Sequence, residues 1–207
     1  MLLANNLSFR RENQTIFNSL DLSLSPKKII HLYGNNGVGK TTLIKILADV
    51  LNSDSGEIYW NGKNIKKNTY EYFSNLTYIM DSNTSNNQMS VIENINYWTK
   101  LFSSNIKSTE LESVLKMLFL NTKKDIKAEN LSRGEIKKLE LIRLVIEKKK
   151  FWLLDEPYSG LDNDSIVLIN ETFRNHLNSN GMIIFASHYC PEIPNIETID
   201  LAKYANN

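Results

Sequence analysis

The stretch Gly34-Asn35-Asn36-Gly37-Val38-Gly39-Lys40-Thr41-Thr42 constrains this chain more than any other part of it. Its spacing, two glycines separated by four residues and followed by Lys-Thr, is that of a loop built to close around a polyphosphate. Such a loop needs backbone conformations that a Cβ would forbid, and Gly34, Gly37 and Gly39 supply them. Its amides then face the anion, with the positive end of the dipole of a helix beginning near Lys40 behind them. Lys40 adds a mobile charge for the β- and γ-phosphates, and Thr41 offers a hydroxyl to Mg²⁺. The flanks agree: Ile-Ile-His-Leu-Tyr at 29–33 reads as the strand leading in, and 42–47 as the helix leading out. The ligands expected from this loop are a nucleoside triphosphate, ATP, and Mg²⁺. The motif does not choose among the families of enzymes that use it.

Elsewhere short apolar runs alternate with amphipathic stretches, the pattern of strands joined by helices in a mostly parallel sheet. Strands are expected at 2–9, 29–33, 57–60, 77–80, 151–155 and 182–187. Phe151-Trp152-Leu153-Leu154 is apolar without alternation, as a central strand buried on both faces should be. Residues 91–120 read as helical, with Ile92, Ile95, Trp98 and Leu101 at helical spacing, and again Leu111, Val114, Leu115 and Leu118. Segments 63–70 and 81–89 are polar and poor in β-branched residues, so loops are expected there.

At the end of the apolar run stand Asp155 and Glu156. The carboxyl end of a parallel strand is where α/β sheets bind ligands. Asp155 there can hold Mg²⁺, and Glu156, pointing elsewhere, can accept a proton from attacking water. His188 ends another expected strand in Ala186-Ser187-His188. It can bond the γ-phosphate and orient water, although a lone histidine is more often a satisfied polar residue.

With 24 Lys and Arg against 23 Asp and Glu, the chain lacks the basic excess of a general nucleic-acid binder. A single cysteine, Cys190, cannot close an intramolecular disulfide and suits a reducing compartment. No apolar run approaches the roughly 18 residues that read as a membrane-crossing helix. Any membrane role is therefore expected from the water side.

Leu131-Ser132-Arg133-Gly134-Glu135 precedes a helix with Ile136, Leu139, Ile142 and Val145 at apolar positions, and Tyr158-Ser159-Gly160-Leu161-Asp162 directly follows the acid pair. The first resembles the ABC signature, commonest as Leu-Ser-Gly-Gly-Gln, and the second resembles that family's D-loop. The order of phosphate loop, helical insert, signature, acid pair, D-loop and histidine is similar to the ABC family along essentially the whole chain. The resemblance implies an α/β P-loop NTPase fold: a single ABC-type nucleotide-binding domain over 1–207. It would have a mostly parallel core sheet, an antiparallel β part and an inserted helical subdomain at about 85–140. It further implies ATP hydrolysis by a homodimer, with Ser132 and Gly134 of each copy reaching the γ-phosphate seated on the other. Asp162 and Phe9 would also contact ATP, Phe9 by stacking on adenine, although core packing explains Phe9 equally well. Ser132-x-x-Glu135 is at the same time a capping box. Glu135 stands where the family has glutamine and should turn away from phosphate to cap; Arg133 stands in place of a glycine and should compensate the charge. The family's metal-touching glutamine after the strand at 77–80 is absent, and register puts Ser82 in its place, with a doubtful role as a Mg²⁺ ligand.

Gly56-Glu57-Ile58-Tyr59-Trp60-Asn61-Gly62, Glu93-Asn94-Ile95-Asn96-Tyr97-Trp98 and Trp152-Leu153-Leu154-Asp155-Glu156-Pro157 resemble the ATP-binding subunits of the bacterial haem exporter of cytochrome c maturation. That resemblance implies a peripheral protein on the cytoplasmic side of the inner membrane, driving an integral membrane permease. Haem would be handled by the permease and never by this chain. A soluble ABC ATPase of an assembly system, of the iron–sulfur type, and the ATPase of another ABC exporter are the competing readings. A chromosome-structure ATPase is excluded, because the interval from Lys40 to Ser132 is short and lacks heptads.

Overall fold

The protein was analysed as a computed structural model that describes residues 1–104 and 106–205. Five parallel strands form the central sheet: β3 (Ile29–Tyr33), β6 (Leu76–Ile79), β7 (Phe151–Asp155), β8 (Met182–Ala186) and β9 (Ile196–Asp200), in the order β6-β7-β8-β3-β9. A four-stranded antiparallel sheet, ordered β2-β1-β4-β5, is made by β1 (Leu2–Arg11), β2 (Gln14–Leu24), β4 (Ser55–Trp60) and β5 (Lys63–Asn64). The helices are α1 (Lys40–Leu47), α2 (Thr69–Asn75), α3 (Val91–Leu101), α4 (Ser108–Met117), α5 (Arg133–Leu141), α6 (Arg143–Glu147) and α7 (Asn163–Asn178). Between β6 and β7 the chain runs through α3 to α6. This is the α/β arrangement expected, a parallel core sheet with an antiparallel part and helices.

β7 as far as Leu154, and β8 throughout, are apolar because each serves two cores. Side chains alternate faces along a strand. Phe151 and Leu153 of β7, with Met182 and Ile184 of β8, join α1 and the antiparallel sheet on one face. Trp152 and Leu154, with Ile183 and Phe185, meet α3, α5 and α7 on the other. Every residue of β7 and β8 is buried.

The strands at 29–33 and 151–155 have the expected bounds, and the others shift by one or two residues. Four elements escape a reading by pattern. The alternation of β2 is broken by register shifts against β1, and Ser19 within it has φ 52°. Among the described residues β9, at the margin, pairs only with β3, and none of its residues is fully buried. In the segment expected to be a loop at 63–70 lie β5 and the start of α2, a short helix that buries Tyr72 alone. Among the described residues no helix is long and apolar enough to cross a membrane.

Candidate active site

The phosphate loop joins β3 to α1, so its position follows from the central sheet and from the first core, into which Val38 packs. Gly39 caps α1 with φ 110°, and a Cβ there would lie 2.4 Å from Cγ2 of Ile16 on β2. Both the conformation and the lack of room require glycine. Lys40 is buried and donates from Nζ to the carbonyls of Gly34 (2.8 Å) and Asn35 (3.3 Å), so the loop wraps its own ammonium. Asn36, Gly37, Gly39, Lys40, Thr41 and Thr42 line an open cavity of about 530 Å³. Lys45, Leu51, Arg11, Ile16, Asp81 and Glu156 complete its walls.

At the end of β7, Asp155 is buried and its Oδ1 accepts a hydrogen bond from the Thr41 hydroxyl at 3.2 Å. Burial pushes its carboxyl pKa up, opposed by the Thr41 bond, while the charges of Asp81 and Glu156 add to the rise. A hydroxyl and a carboxylate side by side in a phosphate cavity are the hard oxygen donors that Mg²⁺ prefers, with phosphates supplying further ligands. The residues fit that ion. Glu156 sits at φ 47°, where the chain leaves the sheet; its amide donates to the Ala186 carbonyl at 2.8 Å. Its carboxylate lies 3.8 Å from Nε2 of His188, and that nitrogen also meets Oδ1 of Asn36 at 2.6 Å. His188 thus stands between the phosphate loop and Glu156. Behind it, His31 of β3 is buried, stacks on Phe185 with ring centroids 4.7 Å apart, and donates from Nε2 to the Ser187 carbonyl at 2.8 Å. Burial lowers the His31 pKa, and the bond to Ser187 opposes this. His31 is neutral scaffolding that pins the end of β8 just before His188, a role its place in an apolar run did not suggest.

Ser132 is the N-cap of α5. Its hydroxyl accepts from the Glu135 amide at 3.3 Å, and the Glu135 carboxylate accepts from the Ser132 amide at 2.9 Å. Glu135 has therefore turned into the cap, as its capping-box position requires. Gly134 lies against the turn after β7, where an added Cβ would come within 2.4 Å of the Gly160 carbonyl oxygen. Ser132 and Gly134 lie outside the cavity of the phosphate loop.

The family model described as ABC transporter matches residues 17–159. The chain belongs to the ABC transporter family. It is 32% identical over 188 residues to the cytochrome c biogenesis ATP-binding export protein CcmA of Nitrosomonas europaea, covering 91% of this chain and 88% of that one. It is 31% identical over 194 residues to the protein of the same name from Dechloromonas aromatica, covering 94% and 95%. A solved Pyrococcus furiosus structure ascribed to an ABC transporter ATP-binding protein shares the fold, with a TM-score of 0.85 at 21% identity over 99% of both chains. As an ABC ATP-binding subunit, the protein binds ATP and hydrolyses it.

Within this ABC subunit the structure revises four assignments. Phe9 does not line the cavity: it faces its cross-strand partner Phe17, ring centroids 6.3 Å apart, and packs on the first core. The antiparallel sheet instead presents Arg11 and Ile16 over the phosphate loop. Ser82 is exposed and outside the cavity, whereas Asp81 lines it. The chain turns away after Asp81 because Glu140 of α5 accepts the amides of Thr84 and Ser85, each at 2.7 Å. The charge of Glu135 is met by Lys123, not by Arg133, which is exposed. The hydrogen bond from Lys123, with the cap, holds the Glu135 carboxyl pKa down. Finally, the Asp162 carboxylate is engaged within the chain, capping α7 through the Ser165 amide at 2.9 Å and pairing with Lys138 at 2.9 Å. Those bonds, the one from the Ser165 hydroxyl foremost, draw its pKa down to about 2.

Proposed function

We propose that this chain is the ATP-hydrolysing subunit of the haem exporter that serves cytochrome c biogenesis, working as a homodimer from the cytoplasmic side of the membrane against an integral permease. What carries the reading is that the two relatives named above, at 32% and 31% identity, bear that biogenesis and export name and align over more than nine-tenths of this chain. The cassette is read as one nucleotide-binding domain with a helical part at about 85–140, the part offered to the permease. Haem stays with the permease; nucleic acid is not a partner.

Within each copy the loop amides of 34–39 and Lys40 bind the phosphates, while Thr41 and Asp155 hold Mg²⁺. The ion, when bound, neutralises charge that develops on the phosphates. Glu156 is read as the base that takes the proton of the attacking water, and His188 as the group that orients the γ-phosphate. The 3.8 Å separation of Glu156 and His188 favours that division of labour. Ser132, exposed at the N-cap of α5, and Gly134, half-buried in its first turn, are the groups offered to a triphosphate on the second copy. That accounts for their standing outside their own chain's cavity.

The test is co-expression of this subunit with candidate membrane subunits, followed by fractionation and pull-down. The reading expects the subunit in the membrane fraction only with its permease, in a complex whose loss stops cytochrome c maturation. An equal soluble pool with and without any permease, and unimpaired maturation, would overturn it.

A further inference from the structure

His188 is exposed and follows a strand end, so its place depends on how the chain around it is held. The pairing of β8 with β3 ends at Ala186 opposite Leu32, and its pairing with β7 ends at Ala186 opposite Asp155. Ser187 therefore lies beyond both ladders, although it is buried. A buried backbone carbonyl outside a ladder needs a donor from elsewhere. The Ser187 carbonyl finds one in the imidazole of His31, whose Nε2 lies 2.8 Å away. Two more bonds fix the neighbouring backbone. The Glu156 amide donates to the Ala186 carbonyl at 2.8 Å, and the Tyr189 amide donates to the Ser187 hydroxyl at 3.0 Å. The chain is gripped on both sides of His188, and only His31 does so with a side chain from another strand.

The imidazole is itself locked. A carbonyl can only accept, so Nε2 carries the hydrogen and Nδ1 is bare. Nδ1 is buried with no hydrogen-bond partner among the described residues, so a second N–H there would find no acceptor. The ring stacks on Phe185, its cross-strand partner, with 6° between the planes, and Tyr33 meets it edge-on at 5.9 Å between centroids. An apolar side chain would satisfy that packing as well, so the donor is what the histidine adds. Its place on β3 matters, because β3 runs directly into the phosphate loop. The imidazole thus ties the strand that delivers the loop to the chain that delivers His188, while the His188 ring meets Asn36 of that loop at 2.6 Å. His31 itself does not line the nucleotide cavity.

We propose that His31 is a positioning residue for hydrolysis: its Nε2–H holds the Ser187 carbonyl and so sets where the His188 ring stands relative to the phosphate loop. This rests on the reading of His188 as the group that orients the γ-phosphate. His31 acts through the backbone before His188 and touches no phosphate, so its contribution belongs to the rate of hydrolysis and not to the binding of ATP.

The test is single-turnover ATP hydrolysis by the full chain, with affinity measured separately by fluorescent-nucleotide titration. The variants are His31→Leu, His31→Gln, His188→Ala, and His31→Leu combined with His188→Ala. His31→Leu should slow hydrolysis about ten- to a hundredfold, as misplacement of a reacting group by a distant change does, with ATP affinity unaltered. His31→Gln carries a donor as many bonds from Cα as Nε2, and should restore most of the rate. In the His188→Ala background His31→Leu should add nothing. A parental rate in His31→Leu would overturn the proposal, and so would an equal loss with and without His188, or a His31→Gln variant as slow as His31→Leu. The chain has three histidines, so ¹⁵N-histidine labelling gives ring spectra simple enough to decide the matter if His31→Leu does not fold or His188→Ala is too slow to compare. In the parent the His31 hydrogen should sit on Nε2, and His31→Gln should leave the His188 ring signals in place. A hydrogen on Nδ1 of His31 would overturn the proposal. A parental rate in His188→Ala would instead sink the reading of His188 on which it rests.

Discussion

Glu156 and Lys40 sit in one cavity and answer to different measurements. Glu156 touches neither the loop amides nor Lys40, so its amide variant should bind nucleotide as the parent does. Glu156→Gln is expected to lower steady ATP turnover by about 10²- to 10⁴-fold, the usual contribution of a positioned base. Steady turnover at the parental rate would remove Glu156 from that role. Lys40 acts on binding itself. Its ammonium is held by the Gly34 and Asn35 carbonyls, close to the anion those loop amides face. Lys40→Ala should weaken ATP by about 10- to 100-fold, the worth of a charge-assisted hydrogen bond at about 1.5–3 kcal/mol. Fluorescent-nucleotide titration measures it. Both residues were readable from motif spacing because their chemistry is tied to neighbours a few positions away. Asp81 and Arg11 were not, since each meets the cavity through partners brought from another element.

Helix α5, with its continuation α6, carries a buried charge network that no local pattern announces. Arg143 lies over the rings of Trp98 and Phe102 and pairs with Glu147 at 2.7 Å and Glu140 at 3.7 Å. Glu147 accepts from the Thr77 hydroxyl of β6 at 2.8 Å. Glu140 therefore ties α5 to the loop after β6, and its removal leaves Arg143 partly unpaired and two amides without an acceptor. Glu140→Ala is expected to cost about 3–5 kcal/mol of unfolding free energy, the loss seen when one partner of a buried pair is removed. Denaturant unfolding checks it, and a change below about 1 kcal/mol, within the range of an exposed pair, would show the network to be idle. The C-terminal end of α7 offers a second case. The His176 ring stacks on Trp152 at 3.5 Å between centroids, and a Cβ on Gly181 would lie 2.3 Å from it. Burial draws its pKa from 6.5 to about 4. The unfolded chain thus takes up this proton first. Stability is complete above pH 6.5 and falls as pH drops towards 4. The melting temperature of His176→Phe should fall less steeply over that window than that of the parent. Parallel slopes would refute a neutral, half-buried His176.

Ser132 and the phosphate loop of the same chain do not share a cavity, and that separation shapes the expected assembly. Glu156→Gln loaded with Mg²⁺–ATP should elute at twice the monomer mass in light scattering and return to monomer with ADP. The further change Ser132→Arg should prevent the dimer without loosening ATP on the monomer. A monomer in every nucleotide state would argue against the face-to-face arrangement. The two cores supply the rigid frame that such closure needs, since β7 and β8 feed one and the other with alternate residues.

Motif and period were enough for the phosphate loop, the acid pair after a doubly buried strand and the capping box at Ser132. Each rests on residues within a few positions of one another, where spacing and propensity act directly. The same local logic missed β2, whose register shifts blur its alternation, and α2, which is short and buries Tyr72 while leaving Tyr70 and Phe73 exposed. Packing had to choose between Phe9 and Arg11, between Ser82 and Asp81, and between Arg133 and Lys123. In each pair the neighbours along the chain offer no preference. The deciding forces are the cross-strand fit of Phe9 on Phe17, the grip of Glu140 on the loop, and the reach of Lys123 to Glu135, contacts set only when distant segments meet.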